Sequence, residues 1–219
     1  MKLCCISDTH GQWRRLKIPA ADILIHAGDI TAYRTVNELI DFNLWLGQQP
    51  CKYKLVIGGN HDGCLDESQD RMRDIQDCLS NGIYLQNTGC EIQGKKFWGS
   101  PFTPTFNDWF FMKHRDQIGQ IWALIPTDTD VLITHGPPYG ILDRVYYPSG
   151  RWESVGDEAL RERVIQHLKP RYHIFGHLHD SHGKERIGQT TFINCSVLDD
   201  AYELVYKPSI VTLRSHSDR

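Results

Sequence analysis

Five short apolar runs, each closed by a polar turn rich in side chains able to hold a cation, constrain this chain more than any other feature. Leu3-Cys4-Cys5-Ile6-Ser7 leads into Asp8-Thr9-His10, and Ile23-Leu24-Ile25-His26-Ala27 into Gly28-Asp29. Leu55-Val56-Ile57 leads into Gly58-Gly59-Asn60-His61-Asp62. Val131-Leu132-Ile133-Thr134 ends at His135-Gly136-Pro137-Pro138, and His173-Ile174-Phe175 at Gly176-His177-Leu178-His179. Runs of this length and β-branched content, bounded by Gly or Pro, read as buried strands. Ligands of open α/β sheets gather beyond the carboxyl ends of such strands. An Asp-x-His, an Asp, an Asn, a His and a His-x-His in those places read as one site assembled from the whole chain.

Between the runs the apolar spacing becomes helical, which favours an α/β layered domain. Thr35 to Gln48 carries apolar residues on more than one face (Val36, Leu39, Ile40, Leu44, Leu46), as expected of a helix covering a sheet. Met72, Ile75 and Leu79 share one helical face, and Ile118, Ile121, Trp122 and Ile125 another, stopped by Pro126. Leu160, Val164 and Leu168 form a third, ended by Lys169-Pro170. Glu91 to Gly99 reads as a hairpin turning near Gly94, with Thr190 to Asn194 and Ile210 to Leu213 as late strands. Hairpins mixed with βα units suggest two mixed sheets packed between helices rather than one doubly wound sheet, a choice that periodicity alone leaves open. The expected organisation is a single domain over residues 1–214 with a loose tail at 215–219.

A chain of 219 residues can bury one substantial core. Its formal net charge is -3, and Arg14-Arg15, Arg71/Arg73 and Arg161/Arg163 are short clusters suited to solvated helix faces. That argues against a binder of long nucleic acid, whose affinity comes mainly from a basic track along the phosphates. Seven cysteines, an odd number with no Cys-x-x-Cys, point to reduced thiols in a cytoplasmic protein rather than a disulfide framework. Cys4, Cys5 and Cys195 read as small core residues, and Cys64, beside the Asn60-His61-Asp62 turn, as partly exposed. The chain opens on a strand that carries function, so no secretory leader is expected. No apolar stretch reaches the roughly 20 residues needed to span a bilayer. Monomer and homodimer both stay open.

Residues two apart in a strand point to one side, so Asp8 with His10, and His177 with His179, would each face one ion if the chain stays extended. Carboxylate, imidazole and an Asn carbonyl together suit transition metals rather than calcium. The set is too large for one ion and suits two divalent ions sharing a carboxylate. Two such ions, roughly 3.5–4 Å apart, clamp a phosphoryl group and ionise a water between them. Each residue also has an ordinary reading: Asp8 and Asp29 as turn or cap residues, Asn60 as a turn residue, His135 as a strand end, His177/His179 as a surface pair. All of those readings must hold together for the site to dissolve.

Asp8-x-His10, Gly28-Asp29, Gly59-Asn60-His61-Asp62, His135-Gly136 and Gly176-His177-x-His179 resemble, in order, the motifs of the calcineurin-like metallophosphoesterases. Phe97 to Pro101, Leu132 to Gly140 and Phe192 to Ser196 look most like the branch holding the metallophosphoesterase-domain-containing proteins, similar to class III cyclic nucleotide phosphodiesterases. The resemblance implies a four-layer αββα sandwich with a dinuclear site at the strand carboxyl ends. It implies that Asp8, His10, Asp29 and His179 hold one ion, and Asp29, Asn60, His135 and His177 the other. Manganese is the first expectation, with iron, zinc, cobalt or nickel as alternatives. His61 would contact a phosphate oxygen or protonate the leaving oxygen, with Asp62 orienting it, while a metal-bridging hydroxide attacks in line. The implied substrate is a small phosphodiester, cyclic nucleotides among the candidates; a phosphomonoesterase or nuclease of the same fold, or a scaffold that binds protein, are the rivals. The residues after Gly28-Asp29 (Ile30-Thr31-Ala32) lack the Asp-Arg-Gly continuation of serine/threonine protein phosphatases.

The remaining histidines suggest no role: His26 reads as a hydrogen-bonded core group, His173 as a strand residue, His114, His167 and His216 as surface, and His182 as a loop residue. Aromatics crowd Phe102 to Phe111 and recur at Tyr139, Tyr146, Tyr147 and Trp152. Individually they suit a small core under long loops; as a set, at least one should line the substrate cleft.

Overall fold

The computed structural model describes residues 1–66 and 72–214. The expected tail at 215–219 lies outside the described residues, as do Arg71, His216 and the side chains of Met72 and Arg73. In chain order the elements are β1 (Lys2–Ile6), β2 (Ala21–Ala27), α1 (Val36–Gly47), β3 (Cys51–Ile57), α2 (Met72–Cys78) and β4 (Ile83–Tyr84). There follow β5 (Thr88–Ile92), β6 (Lys95–Ser100), β7 (Thr103–Pro104), β8 (Met112–Lys113), α3 (Gly119–Ala123) and β9 (Val131–Thr134). The chain ends with β10 (Arg144–Tyr147), β11 (Arg151–Ser154), α4 (Glu158–Glu162), β12 (Tyr172–Phe175), β13 (Gly183–Ile187), β14 (Thr190–Asn194) and β15 (Ser209–Thr212).

These strands build two main sheets, ordered β15-β1-β2-β3-β4 and β13-β14-β12-β9-β6-β5. Their central strands run parallel and their antiparallel partners sit at the edges, β15 in the first sheet and β13 and β5 in the second. Strand alternation explains the layering. Leu3, Cys5, Ile23, Ile25, Leu55 and Ile57 point from the first sheet onto Phe97, Val131, Ile133, Ile174 and Ile193 of the second. The intervening residues Cys4, Ile6, Leu24 and Val56 point outward under Leu39, Phe42, Trp45 and Leu46 of α1 and Ile75 and Leu79. On the far side Leu132, Phe175 and Phe192 meet Ile118, Trp122, Ile125, Leu160, Val164 and Leu168. The result is helices, sheet, sheet, helices, the expected four-layer sandwich of two mixed sheets.

Local signals account for the boundaries. Thr35 caps α1 through a reciprocal capping box with Glu38, and Glu38 also accepts from the backbone N–H of Ala32 and Tyr33, fixing the loop behind Asp29. Of the apolar residues expected on α1, Leu39 and Leu46 are buried while Val36, Ile40 and Leu44 are exposed. The third helical face continues from α4 as a π-helical stretch, Arg163–Leu168, closed by Lys169 in the left-handed conformation ahead of Pro170. The β5–β6 hairpin turns through Gln93 and Gly94, both at positive φ. No helix of the described residues is long and apolar enough to cross a membrane.

Candidate metal centre

The two sheets meet where their parallel strands end. Ser7, just past β1, bridges Ser196, just past β14, and Val197 donates its N–H to the Ser7 carbonyl at 3.1 Å. At that seam the backbone leaves the strand geometry abruptly. Asp8 (φ 55°), His10 (φ 39°), Asp29 (φ 55°) and His177 (φ 71°) all take left-handed conformations. Each such residue costs of order 1–3 kcal/mol and persists only where its surroundings over-determine it. Here they do. Asp8 N–H binds the Gly28 carbonyl at 2.9 Å and His10 N–H the Asp29 carbonyl at 3.1 Å. His177 N–H reaches both Asp8 carboxylate oxygens at 3.0 Å, and His61 N–H reaches Asp29 Oδ1 at 2.7 Å. Two glycines make room: a Cβ on Gly59 would overlap the Asp29 carboxylate, and one on Gly176 the Asp8 carboxylate.

Asp8 and His10 do come together as expected, but not through extended backbone, and the expectation that His177 and His179 face one ion is corrected. The strands end before these residues, and His179 starts a short 3-10 turn, His179–Ser181. Turns, not strand pleat, set the directions. Asp8, His10 and His179 bring ligand atoms within mutual reach, and Asp29, His135 and His177 form a second group, so the two histidines of His177-x-His179 separate. Asp29 stands between the groups, its Oδ2 3.6 Å from His10 Nε2 and its Oδ1 3.4 Å from His135 Nε2. Asn60 Oδ1 lies 2.9 Å from His135 Nε2, and Asp8 Oδ1 3.8 Å from His179 Nε2. The residues expected as ligands thus lie close together at the seam, His10, Asp29, Asn60, His177 and His179 of them lining one cleft.

Two features fit a cation there. His10 Nε2 is buried with no hydrogen-bond partner, which is costly unless something else supplies positive charge. Around His135 Nε2 two oxygens, from Asn60 and Asp29, converge on one nitrogen. A carbonyl can only accept, so the Nδ1 atoms of His135 and His179 donate to the Ala27 and Asp199 carbonyls, each at 2.9 Å. That orients both Nε2 atoms toward the acidic pair, the arrangement that holds imidazole ligands in place around metals. Burial pushes His10 down to about 4 and His177 down to about 3, leaving neutral rings with free lone pairs. Burial opposes charge on His135 too, but the Asp29 carboxylate, charge and hydrogen bond together, outweighs it and lifts His135 to about 9. Burial likewise works against the Asp29 carboxylate, yet His135 and His10 hold it well below the usual range. An ion between them would take over the charge that this proton now carries.

His61 sits at the cleft with its ring edge-on to His10 (centroids 4.6 Å apart) and tilted against Trp109 (4.2 Å, 31°), a ring nitrogen within 4.8 Å of ligand atoms of His10 and Asp29. Asp62 is fully buried and accepts from Ile30 N–H (3.1 Å), Thr31 N–H (2.8 Å), Thr31 Oγ1 (2.9 Å) and Gly59 N–H (2.9 Å). It locks the Asp29 turn to the Asn60-His61 turn, so it orients His61 through the backbone. His26 bonds Thr9 Oγ1 at 2.9 Å and His173 bonds Thr134 Oγ1 at 2.8 Å, both buried. His182 stacks on Tyr206 and binds the Ser196 carbonyl.

The cleft has a volume of about 640 Å³. Phe106 and Trp109 line one part of it, Arg144, Val145 and Tyr147 of β10 another, so the aromatic cluster does reach the cleft while Phe111 is core. Tyr202 also lines it, 4.9 Å from the His10 ring and 5.2 Å from His179. Sequence reasoning passes over Tyr202 because it follows no strand. It arrives by way of Asp199, whose side chain ties Ala201 and Glu203 and whose carbonyl holds His179.

Residues 1–181 match the family model of the calcineurin-like phosphoesterases, and the chain belongs to that family. The chain is 36% identical to human metallophosphoesterase domain-containing protein 1 over 97% of its own length and 71% of the relative's. It is 38% identical to the Caenorhabditis elegans UPF0046 protein K07C11.7, over 96% and 74% respectively. A solved structure of the Thermus thermophilus protein TT1561 shares the fold, with a TM-score of 0.59 over 88% of both chains at 11% identity. The His and Asp groups described above are consistent with the dinuclear site of a metallophosphoesterase.

Proposed function

We propose that the protein hydrolyses a small phosphodiester with two divalent ions, cyclic nucleotides being candidate substrates. The observation that carries this reading is the chain of overlapping groups, Asp8 with His10 and His179, His10 with Asp29 and His61, and Asp29 with His135 and His177, with His10 Nε2 buried and unpartnered among them. Asp8, His10, Asp29 and His179 would hold one ion, and Asp29, Asn60, His135 and His177 the other, with manganese the first choice. Bound there, the ions supply Lewis-acid charge against phosphoryl oxygens and lower the pKa of a coordinated water.

The chain's own groups supply the rest. Asp29 spans both positions and fixes the His61 backbone. His61 would give its ring proton to the leaving oxygen from the protonated form, which burial, first, disfavours, so the bound phosphate's negative charge is what would favour that form. Diester selectivity follows from the walls. Arg115 spends its guanidinium on the Val155 and Gly156 carbonyls, and Arg144 stands 5.4 Å from the Trp152 ring. Asp180 and Asp200 also line the cleft, with burial and then the neighbouring Asp180 pushing the Asp200 carboxyl up. The organic surface of Phe106, Trp109, Val145 and Tyr147 suits a diester with an organic group on each side, and the mixed charges of Arg115, Arg144, Asp180 and Asp200 offer no basic track for long nucleic acid. Seven free cysteines suit a reducing, cytoplasmic setting.

The test is a panel of bis-p-nitrophenyl phosphate, p-nitrophenyl phosphate, 2′,3′- and 3′,5′-cyclic nucleotides and short oligonucleotides, run on manganese-loaded protein. Diesters should turn over fastest. Faster turnover of the monoester would replace the reading by a phosphomonoesterase, and faster salt-sensitive cleavage of oligonucleotides by a nuclease. His61→Ala should keep its metals and lose roughly 10²–10⁴ in kcat on a methyl phosphodiester, as expected on removing a general acid; an unchanged rate would remove His61 from the chemistry.

A further inference from the structure

We infer that Trp109 is a positioning residue, an aromatic backstop that fixes the plane of the His61 imidazole. This rests on the reading of His61 above and adds to it a side chain that no ligand motif marks.

Hydrogen bonds settle the backbone of residue 61 but not its ring. Its N–H is held by Asp29, and its carbonyl accepts from Thr31 Oγ1 at 3.2 Å. Among the described residues its ring meets Trp109, tilted by 31° at 4.2 Å, and His10, edge-on at 4.6 Å, while one ring nitrogen lies within 4.8 Å of ligand atoms of Asp29 and His10 without a hydrogen bond. A ring free to turn about its Cβ–Cγ bond would carry its nitrogens through a wide arc. A displacement near 1 Å at a reacting group costs about 10²-fold in rate.

Trp109 is itself held. The next residue, Phe110, donates its N–H to the Asn60 carbonyl at 3.3 Å, so residues 109 and 61 face each other across a backbone bond between their neighbours. Phe111 N–H then binds Asp66 Oδ2 at 3.2 Å, and Phe110 packs where Gly63 lacks a side chain. The Arg34 guanidinium lies 4.5 Å from the indole centroid, delivered by a left-handed backbone (φ 62°) inside the loop that Glu38 ties down. Cation–π contact of this kind adds stiffness to an aromatic platform. The segment that supplies Trp109 is thus docked onto the turn that supplies His61.

A double-mutant cycle with two substrates tests the inference. Trp109→Ala should lower kcat on a methyl phosphodiester by about 10–100-fold, leave bis-p-nitrophenyl phosphate nearly unchanged because its leaving group needs no proton, and keep full metal content. Trp109→Phe, which preserves a flat face, should restore most of the loss. In a His61→Ala background Trp109→Ala should add nothing, since residues acting through one another are non-additive. An equal rise in KM for both esters, or a full additional loss in the His61→Ala background, would make Trp109 a mere wall of the cleft. Ring resonances of His61, followed by NMR, give a readout that needs no catalysis. They should shift and broaden in Trp109→Ala, and unchanged signals overturn the inference even if His61 proves to be the acid. If the signals move while His61→Ala turns over the methyl ester normally, the stack stands and the reading of His61 falls.

Discussion

The floor of the cleft and its β10–β11 wall follow opposite rules of construction. On the floor Asp8, Asp29 and His135 are almost wholly buried, and most of the ligand residues are pinned by backbone hydrogen bonds from a neighbouring turn. Among the described residues the hairpin pairs only with itself, and its Tyr146 and Trp152 are 52% and 47% exposed. A lone two-stranded hairpin is marginal by itself; this one is anchored at its root. Asp143 accepts from the Gly140 and Gly156 N–H groups, Arg115 binds the Val155 and Gly156 carbonyls, and Ser181 exchanges hydrogen bonds with Arg144. The most tightly constrained geometry is placed just past the strand ends, and the more exposed wall on a tethered hairpin.

The sharpest way to break this contrast is at its centre. Asp29→Ala should abolish binding of both ions and essentially all turnover, because Asp29 lies against both His10 and His135 and two-metal chemistry needs both ions. Metal analysis decides it: two ions at normal occupancy would end the bridging assignment. The same variant should lose the thermal response to metal. In the wild type, a divalent ion at about 100 times its Kd should contribute about 2.7 kcal/mol to stability, or roughly 5–10 °C in Tm for a domain of this size. A smaller effect is expected from Gly59→Ala. Its new methyl would press on the Asp29 carboxylate and come within 2.7 Å of His135 Cε1. Displaced supports of this kind cost about 10–100-fold in metal affinity, and metal titration should show that loss in a protein that still folds.

The same contrast explains what can be read from the chain. Floor residues are legible because each follows a run such as Val131 to Thr134 or Tyr172 to Phe175, buried on both faces and therefore continuously apolar. The outer helices are legible from spacing, down to Leu160, Val164 and Leu168, although the π-helical winding around them is not. The hairpin strands Arg144–Tyr147 and Arg151–Ser154 show in the sequence only as scattered aromatics, since strands with no buried face carry no alternation. Tyr202 and Asp199 escape for a different reason. Their place at the floor comes from local hydrogen bonds of an irregular loop, which leave no period in the sequence. Left-handed backbone at Asp8, Asp29 and His177 is equally invisible, because Asp and His do not advertise positive φ as Gly does.

The smallest expected effect separates the two faces of the wall. Val145 and Tyr147 of β10 line the cleft, whereas Tyr146, one residue between them, turns outward onto Trp152 with ring centroids 5.1 Å apart. Replacing either tyrosine at these exposed positions should change stability by no more than about 0.5 kcal/mol. Their functional consequences should differ. Stacking on an aromatic side chain is worth about 1–3 kcal/mol, and Tyr147 is half-exposed, so the lower part of that range applies. Tyr147→Ala should then raise KM up to about tenfold for aryl or nucleoside diesters while leaving kcat, and the methyl diester, unaffected. Tyr146→Ala should do neither. Equal effects from the two variants would mean that the hairpin acts as a whole, by holding the cleft closed, and that the alternation of its side chains carries no substrate preference.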